Sequence, residues 1–232
     1  MSGPSSTEPE AVAERYARRL DADRYSMLRP EVWMAVQERQ RAMLHLFARR
    51  GWQDLGSLKV LEVGSGSGTN LLELLRLGFL PEQLTGSELL PLRHARARAA
   101  LPAAVTLHEG DATGLDLPAR SQDIVLVSTV FSSLLDDAFQ QRLADRIWHW
   151  TRPGGGVLWY DFTVDNPRNP DVRGVPLRRV RELFPEAAIE AMRVTLAPPI
   201  ARVVSRWHPA LYTLFNTLPL LRTHVLAWLA KN

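Results

Sequence analysis

The sequence predicts an α/β fold: a doubly wound, mainly parallel sheet with an N-terminal helical cover. Three observations carry this. From Lys59 onward, short apolar runs alternate with helical stretches, the pattern of a parallel sheet clothed on both faces. One of those runs, DIVLVS (123–128), is apolar almost throughout, as expected of a strand buried on both sides. A glycine-rich turn, Gly64 to Gly68, follows the first strand and opens a helix, which lets the backbone turn tightly and a ligand come close to it.

The elements follow in order. Residues 1–9 carry Ser, Pro, Gly and Glu with little to bury, and disorder is expected there. Residues 10–54 form the helical cover, with one helix from Glu10 to Leu20 and a second from Pro30 to about Arg50. Pro30 and Glu31 suit a first helical turn, and Gly51 suits a stop. Residues 55–232 form the main domain. Its strands are expected at KVLEVG (59–64), LTGSE (84–88), VTLHEGD (105–111), DIVLVS and GGVLWYDF (155–162), with helices at 71–77, 91–101 and 136–150. The Asn-, Pro- and Asp-rich stretch 163–176 reads as a loop. Beyond it come a short helix (177–183), a sixth strand (188–196) closed by Pro198 and Pro199, and a helix (209–217). HVLAWLA (224–230) is a seventh strand or a terminal helix, since periodicity does not decide so short a run.

Composition removes several function classes. The absence of cysteine excludes a disulfide framework, a thiolate metal site and a catalytic cysteine, and agrees with the reducing cytoplasm where the protein is expected. The net charge is only +3, and the arginines are scattered among acids rather than gathered in a stripe, which argues against a nucleic-acid partner. The N-terminus lacks the basic and apolar regions of a signal peptide. The most apolar stretch, Leu211–Leu229, is broken by Pro219, Arg222 and His224; it reads as core, with peripheral membrane association as the alternative.

Five segments carry the chemistry. VLEVGSGSG (60–68) ends a strand in a GxGxG turn, with Thr69 where a dinucleotide fingerprint needs its third glycine, so a pyrophosphate is disfavoured. Glu62 within it suits a cationic amino group and would repel a phosphate. Glu88 ends the second strand at the crevice edge, where a carboxylate accepts from ribose hydroxyls. Asp111 and Ala112 follow the third strand, Ser128 and Thr129 end the fourth, and RPGGGVLWYDF (152–162) leads a glycine turn into the fifth.

In this order and spacing the five segments resemble class I, Rossmann-like methyltransferases dependent on S-adenosylmethionine (SAM), over Leu55 to Phe162. The resemblance implies a seven-stranded sheet and SAM as cofactor. It implies that Glu62, Gly64, Ser65, Gly66 and Gly68 surround the methionine portion, that Glu88 and Leu89 meet the ribose, that Asp111 and Ala112 frame the adenine, and that Ser128 lies near the methyl group. Ser65 stands where cysteine is common, and Glu88 where aspartate is more usual. Tyr16 and Tyr25 are candidates for a lid over the cofactor. WYDF, NPRNPDVRGVP, LFP, VTLAPPIAR and LPLLRTH resemble a bacterial subgroup found with polysaccharide and cell-envelope biosynthesis, which implies O-methylation of a saccharide or glycolipid acceptor.

A hydroxyl acceptor must lose its proton, and Asp161 at the end of the fifth strand is the candidate base, with a loop-bonding role as its alternative. Tyr25, Tyr160 and Asn166 are candidates to orient the acceptor, and Arg168 to hold an anionic group on it. Asp161, Asp165 and Asn166 form an oxygen-rich set, but a matching ligand shell is not evident and no metal is expected. A lipid, quinone or natural-product acceptor, and a non-catalytic SAM-fold scaffold, are the competing readings.

Overall fold

The computed structural model describes residues 7–18, 26–167 and 169–232. Tyr25 and Arg168, two of the expected acceptor residues, lie outside the described residues, as do residues 1–6. Helix α1 spans Glu8–Ala17 and α2 spans Pro30–Arg49. The first helix starts two residues earlier than expected, so residues 7–9 are its ordered start. Thr7 and Glu10 form a capping pair, with the Thr7 N–H donating to Glu10 Oε2 at 2.8 Å. The T-x-x-E spacing that produces this was visible in the sequence.

The alternation that follows is β1 (Val60–Val63), α3 (Thr69–Leu77), β2 (Leu84–Glu88), α4 (Pro91–Ala100), β3 (Thr106–Glu109), β4 (Gln122–Ser128), α5 (Asp137–Trp150) and β5 (Thr151–Phe162). Then come α6 (Leu177–Leu183), β6 (Ala188–Leu196), α7 (Pro198–Trp207), α8 (Pro209–Asn216) and β7 (Arg222–Ala230). The seven strands form one sheet in the order β3-β2-β1-β4-β5-β7-β6. Strands β1 to β5 pair in parallel, and β7 runs antiparallel to both β5 and β6. The order reverses between β1 and β4, which opens a crevice at their C-terminal ends.

Two cores lie on the two faces of the sheet. On one, Leu61, Val63, Val125, Val127, Val157 and Trp159 pack with Leu143, Ile147 and Trp150 of α5 and with Val180 and Leu183 of α6. On the other, Val60, Ile124, Leu126, Leu158 and Trp228 pack with Met43, Leu46 and Phe47 of α2, Leu71 and Leu74 of α3, and Ala97 of α4. Helix α2, read as part of a cover, is thus a layer of the fold, and α1 alone lies over the strand ends.

One alternative left open by the sequence is settled, and two differences from it have local causes. Residues 224–230 are strand: Val225, Ala227 and Leu229 enter one core while Leu226 and Trp228 enter the other, a two-residue period. Pro198 and Pro199 do not merely close β6. They occupy the first turn of α7, where a missing N–H costs nothing. Strand β5 begins at Thr151, ahead of the glycines, because Thr151 pairs with Gln122 before a register shift at Ile124.

Gly156 sits where β5 meets Trp228 of β7, and an added Cβ would lie 2.5 Å from Trp228 Cζ2. Gly156→Ala is expected to cost about 1–3 kcal/mol by overpacking. Urea unfolding measures this, and a variant as stable as the parent would contradict the close packing.

Candidate functional site

The turn after β1 is built against β2. The N–H groups of Gly64 and Ser65 both donate to the Ser87 carbonyl, at 2.8 and 2.9 Å. Gly64 has φ +71°, and a Cβ there would lie 2.7 Å from Val130 Cγ2. Backbone conformation and space therefore both require glycine. Gly66 and Gly68 also have positive φ, and Gly68 forms the N-terminal boundary of α3.

Glu88 is buried at 4% exposure. Its Oε2 accepts from the Gly66 N–H at 2.7 Å and its Oε1 from the Leu90 N–H at 2.9 Å. The carboxylate thus ties the glycine turn to the end of β2, next to half-buried Leu89. Its remaining lone pairs are available to hydroxyl donors. Asp111 accepts from the backbone N–H and side-chain hydroxyl of Thr113, at 2.8 and 2.7 Å, and so fixes the short turn that begins at Ala112.

Glu62 is fully buried beneath the turn. Its Oε1 accepts from Asn70 Nδ2 at 2.6 Å, while Oε2 has no partner. Burial pushes its pKa up to about 7 against the opposing Asn70 hydrogen bond and the Arg39 charge. Arg39 of α2 joins this group, bonding Asn70 Oδ1 at 2.9 Å and Glu73 at 3.1 Å. Sequence reading missed Arg39, Asn70 and Glu73. Asn70 carried a signal, since it stands in the first turn after the glycines, whereas nothing marks Arg39 among the arginines of α2.

At the end of β4, Ser128 is half-buried and Thr129 adopts φ +55°. The Thr129 N–H holds that strained residue by donating to the Tyr160 carbonyl at 2.7 Å. A narrow cavity beside Ser128 is lined by Arg39, Met43, Asn70, Leu126, Tyr160 and Leu226. The Arg39 guanidinium lies 5.2 Å from the Tyr160 ring centroid, and His224 stacks on that ring at 5.2 Å. The Tyr160 hydroxyl is 2.9 Å from Thr195 Oγ1. Burial holds the His224 pKa down at about 4, so its imidazole is neutral. A larger groove among α5, α6 and Lys231 opens at the opposite edge of the sheet, away from these groups.

Asp161 points its carboxylate elsewhere. Oδ2 accepts from the Ser132 N–H at 3.0 Å and Oδ1 from the Phe162 N–H at 2.9 Å, with the residue 1% exposed. Burial raises its pKa to about 7. Asp165 Oδ1 accepts from the Gly174 N–H at 2.7 Å, and Asn166 lies exposed in the same loop. Among the described residues, no three His, Cys, Asp or Glu side chains gather as a metal would need.

Helix α1 straps the crevice mouth. Arg15 bonds the Ser133 carbonyl at 3.0 Å, Glu8 accepts from the Leu135 N–H at 2.7 Å, and Arg93 of α4 lies over the Tyr16 ring at 5.1 Å.

The glycine cradle and the unpartnered Glu62 oxygen fit SAM: a carboxylate for its ammonium, a second carboxylate for its ribose. Sheet order and crevice are those of the Rossmann-like methyltransferase fold. Residues 60–155 match a family model described as a methyltransferase domain, and the fold around them is the one that SAM-dependent methyltransferases use. Magnesium protoporphyrin IX methyltransferase from Synechocystis PCC 6803, solved with bound SAM, superposes with a TM-score of 0.66 at 12% identity, covering 99% of this chain and 100% of that one. A SAM-dependent methyltransferase from Mesorhizobium loti gives 0.55 at 20% identity, covering 82% and 94%. An N-methyltransferase from Haemonchus contortus, in complex with S-adenosylhomocysteine and phosphomonomethylethanolamine, gives 0.58 at 17%, covering 83% and 53%. No curated protein matches the sequence.

Glu88→Ala is expected to weaken SAM binding about tenfold or more, since it removes a charged acceptor and frees two backbone donors. Calorimetric titration with SAM and S-adenosylhomocysteine reads this, and unchanged affinity would remove Glu88 from the cofactor site.

The pKa shifts also set a pH dependence. Glu62 and Asp161 have ordinary values of 4.5 and 3.8 and folded values of about 7, so the folded chain holds these protons more tightly. Their contribution is full below the unfolded values and is lost as pH rises toward about 7. His224 acts in the opposite sense, its value falling from 6.5 to about 4. Two carboxyls against one imidazole leave a net slope of at most about 1.4 kcal/mol per pH unit. Thermal unfolding of the ligand-free protein should show stability falling as pH rises across this interval, and Glu62→Gln should flatten the slope. A rise over the same interval would contradict it.

Proposed function

We propose that the protein transfers the SAM methyl group to a hydroxyl of a saccharide or glycolipid acceptor. The supporting observation is that three side chains able to hydrogen-bond, Arg39, Asn70 and Tyr160, stand around the narrow cavity beside Ser128.

SAM, when bound, supplies a methyl group on a sulfonium that is open to in-line attack. The chain's task is to bind, align and desolvate the partners. In this reading Glu62 holds the methionine ammonium, Glu88 holds the ribose, and Asp111 with Ala112 borders the adenine. Ser128 and the Tyr160 hydroxyl orient the acceptor oxygen, and α1 excludes water from above. Asp161 serves as a positioning residue: its two backbone bonds hold the turn after β4 against the end of β5. At 1% exposure its carboxylate does not reach the crevice. The acceptor proton becomes strongly acidic once the methyl is attached and leaves to water.

A second reading keeps the chemistry and gives the acceptor a lipid tail. It is supported by the exposed apolar side chains of α7 and α8, which include Trp207 and Leu214.

Labelled SAM offered with saccharide and glycolipid acceptors is expected to give a methyl ether. Tyr160→Phe should raise the acceptor KM about tenfold, the worth of one hydrogen bond, with SAM affinity unchanged. Transfer to nitrogen or to a quinone instead, or SAM binding with no turnover on any acceptor, would overturn the proposal.

A further inference from the structure

The excursion between β6 and β7 has no role in the cofactor site, and its surface is unusual. Val203, Trp207, Leu214, Phe215, Leu218 and Leu220 are all exposed, with Trp207 at 83% and Leu220 at 91%. Val203 and Trp207 stand four residues apart and so share one outer face of α7, while Ala201, Val204 and Ser205 fill its buried face. The helix is therefore apolar toward solvent as well as toward the core. A solvated face has no reason to carry a tryptophan and several leucines.

Charge on the excursion has one sign. From Ala197 to His224 there is no aspartate or glutamate, although the chain has 25 of them, and Arg202, Arg206 and Arg222 are all present. Apolar and aromatic side chains interleaved with arginine, and free of acid, complement an anionic lipid surface. A second copy of this chain or an ordinary protein partner would offer no such excess of negative charge.

Position gives the surface a purpose. The excursion leaves the C-terminal end of β6 and returns at the start of β7, so it stands at the sheet edge where Ser128 and Tyr160 lie. It is also tied to the cavity. The Tyr212 hydroxyl of α8 donates to Glu38 Oε2 at 2.8 Å, Glu38 Oε1 accepts from the Thr195 N–H at 2.9 Å, and Thr195 meets the Tyr160 hydroxyl.

We infer that α7, α8 and the turn to Leu221 form a docking surface for an anionic lipid bilayer, which presents the Tyr160 cavity to an acceptor held in that bilayer. This rests on the glycolipid form of the proposed function. Among the described residues no helix is long and apolar enough to cross a membrane, so the association is peripheral.

The test is flotation of the full chain with vesicles of phosphatidylcholine plus phosphatidylglycerol, compared with phosphatidylcholine alone. Binding is expected to the anionic vesicles and to weaken with salt. Trp207→Ser combined with Leu220→Ser should lower the partition coefficient about tenfold or more, and Arg206→Glu about tenfold. SAM affinity in solution should stay unchanged in both variants. Brominated lipid should quench the parent's fluorescence and spare Trp207→Phe, because Trp207 is the exposed member of the seven tryptophans. No binding to either vesicle, or equal binding by parent and variants, overturns the inference. So does a dimer that the Trp207 variant dissolves, which would make the surface a protein interface. Vesicle binding needs neither SAM nor acceptor, so it can fail while SAM binding and methyl transfer hold, or hold while they fail.

Discussion

The parallel run of β1, β2 and β4 is the constraint on which the site depends. Parallel strands put all their C-terminal ends at one edge, and the change of order between β1 and β4 leaves that edge open. Everything polar then converges there without long loops: the glycine turn from β1, Glu88 from β2, Ser128 from β4, and Tyr160 from β5. Glu88 does more than wait for a ligand, because it already binds backbone N–H groups on both sides of the crevice floor. In the proposed reading one carboxylate serves cofactor site and fold together, so a change at Glu88 acts on both.

Burying Glu62 under the same turn costs stability, as its raised pKa shows. Arg39 and Asn70 reduce that cost but leave one oxygen without a donor. An acceptor held unsatisfied in a protein interior is expensive, and a bound ammonium removes the expense.

How much of this was legible in the sequence depended on whether a signal was local. VLEVGSGSG showed its strand, turn and ligand preference at once, because backbone conformation and carboxylate position are fixed within nine residues. The alternation from Lys59 to Phe162 showed the parallel sheet for the same reason. Arg39 was illegible, since its value comes from α2 packing beside α3, a contact between segments 31 residues apart. For Asp161 the loop-bonding reading was legible but its partner was not, because Ser132 reaches it from another strand's exit loop. Helix α7 was missed because Pro198 and Pro199 serve equally as a strand stop and as a first helical turn. Only the apolar face presented by Ala201 and Val204 distinguishes the two.

The excursion that α7 begins lies outside the span that matches the family model. Residues 60–155 match a general methyltransferase domain. The structures of similar fold act on chemically unrelated molecules, so the shared core does not choose among them. Outside that span the chain adds α1 and α2 on one side and the end of β5 with everything after it on the other. These additions meet at one place: Glu38 of α2 bonds both Thr195 of β6 and Tyr212 of α8, and Thr195 in turn reaches the Tyr160 hydroxyl. Segments outside residues 60–155 therefore wall part of the cavity beside Ser128, through Arg39, Met43, Tyr160 and Leu226, and the chain after β6 also carries the exposed apolar surface.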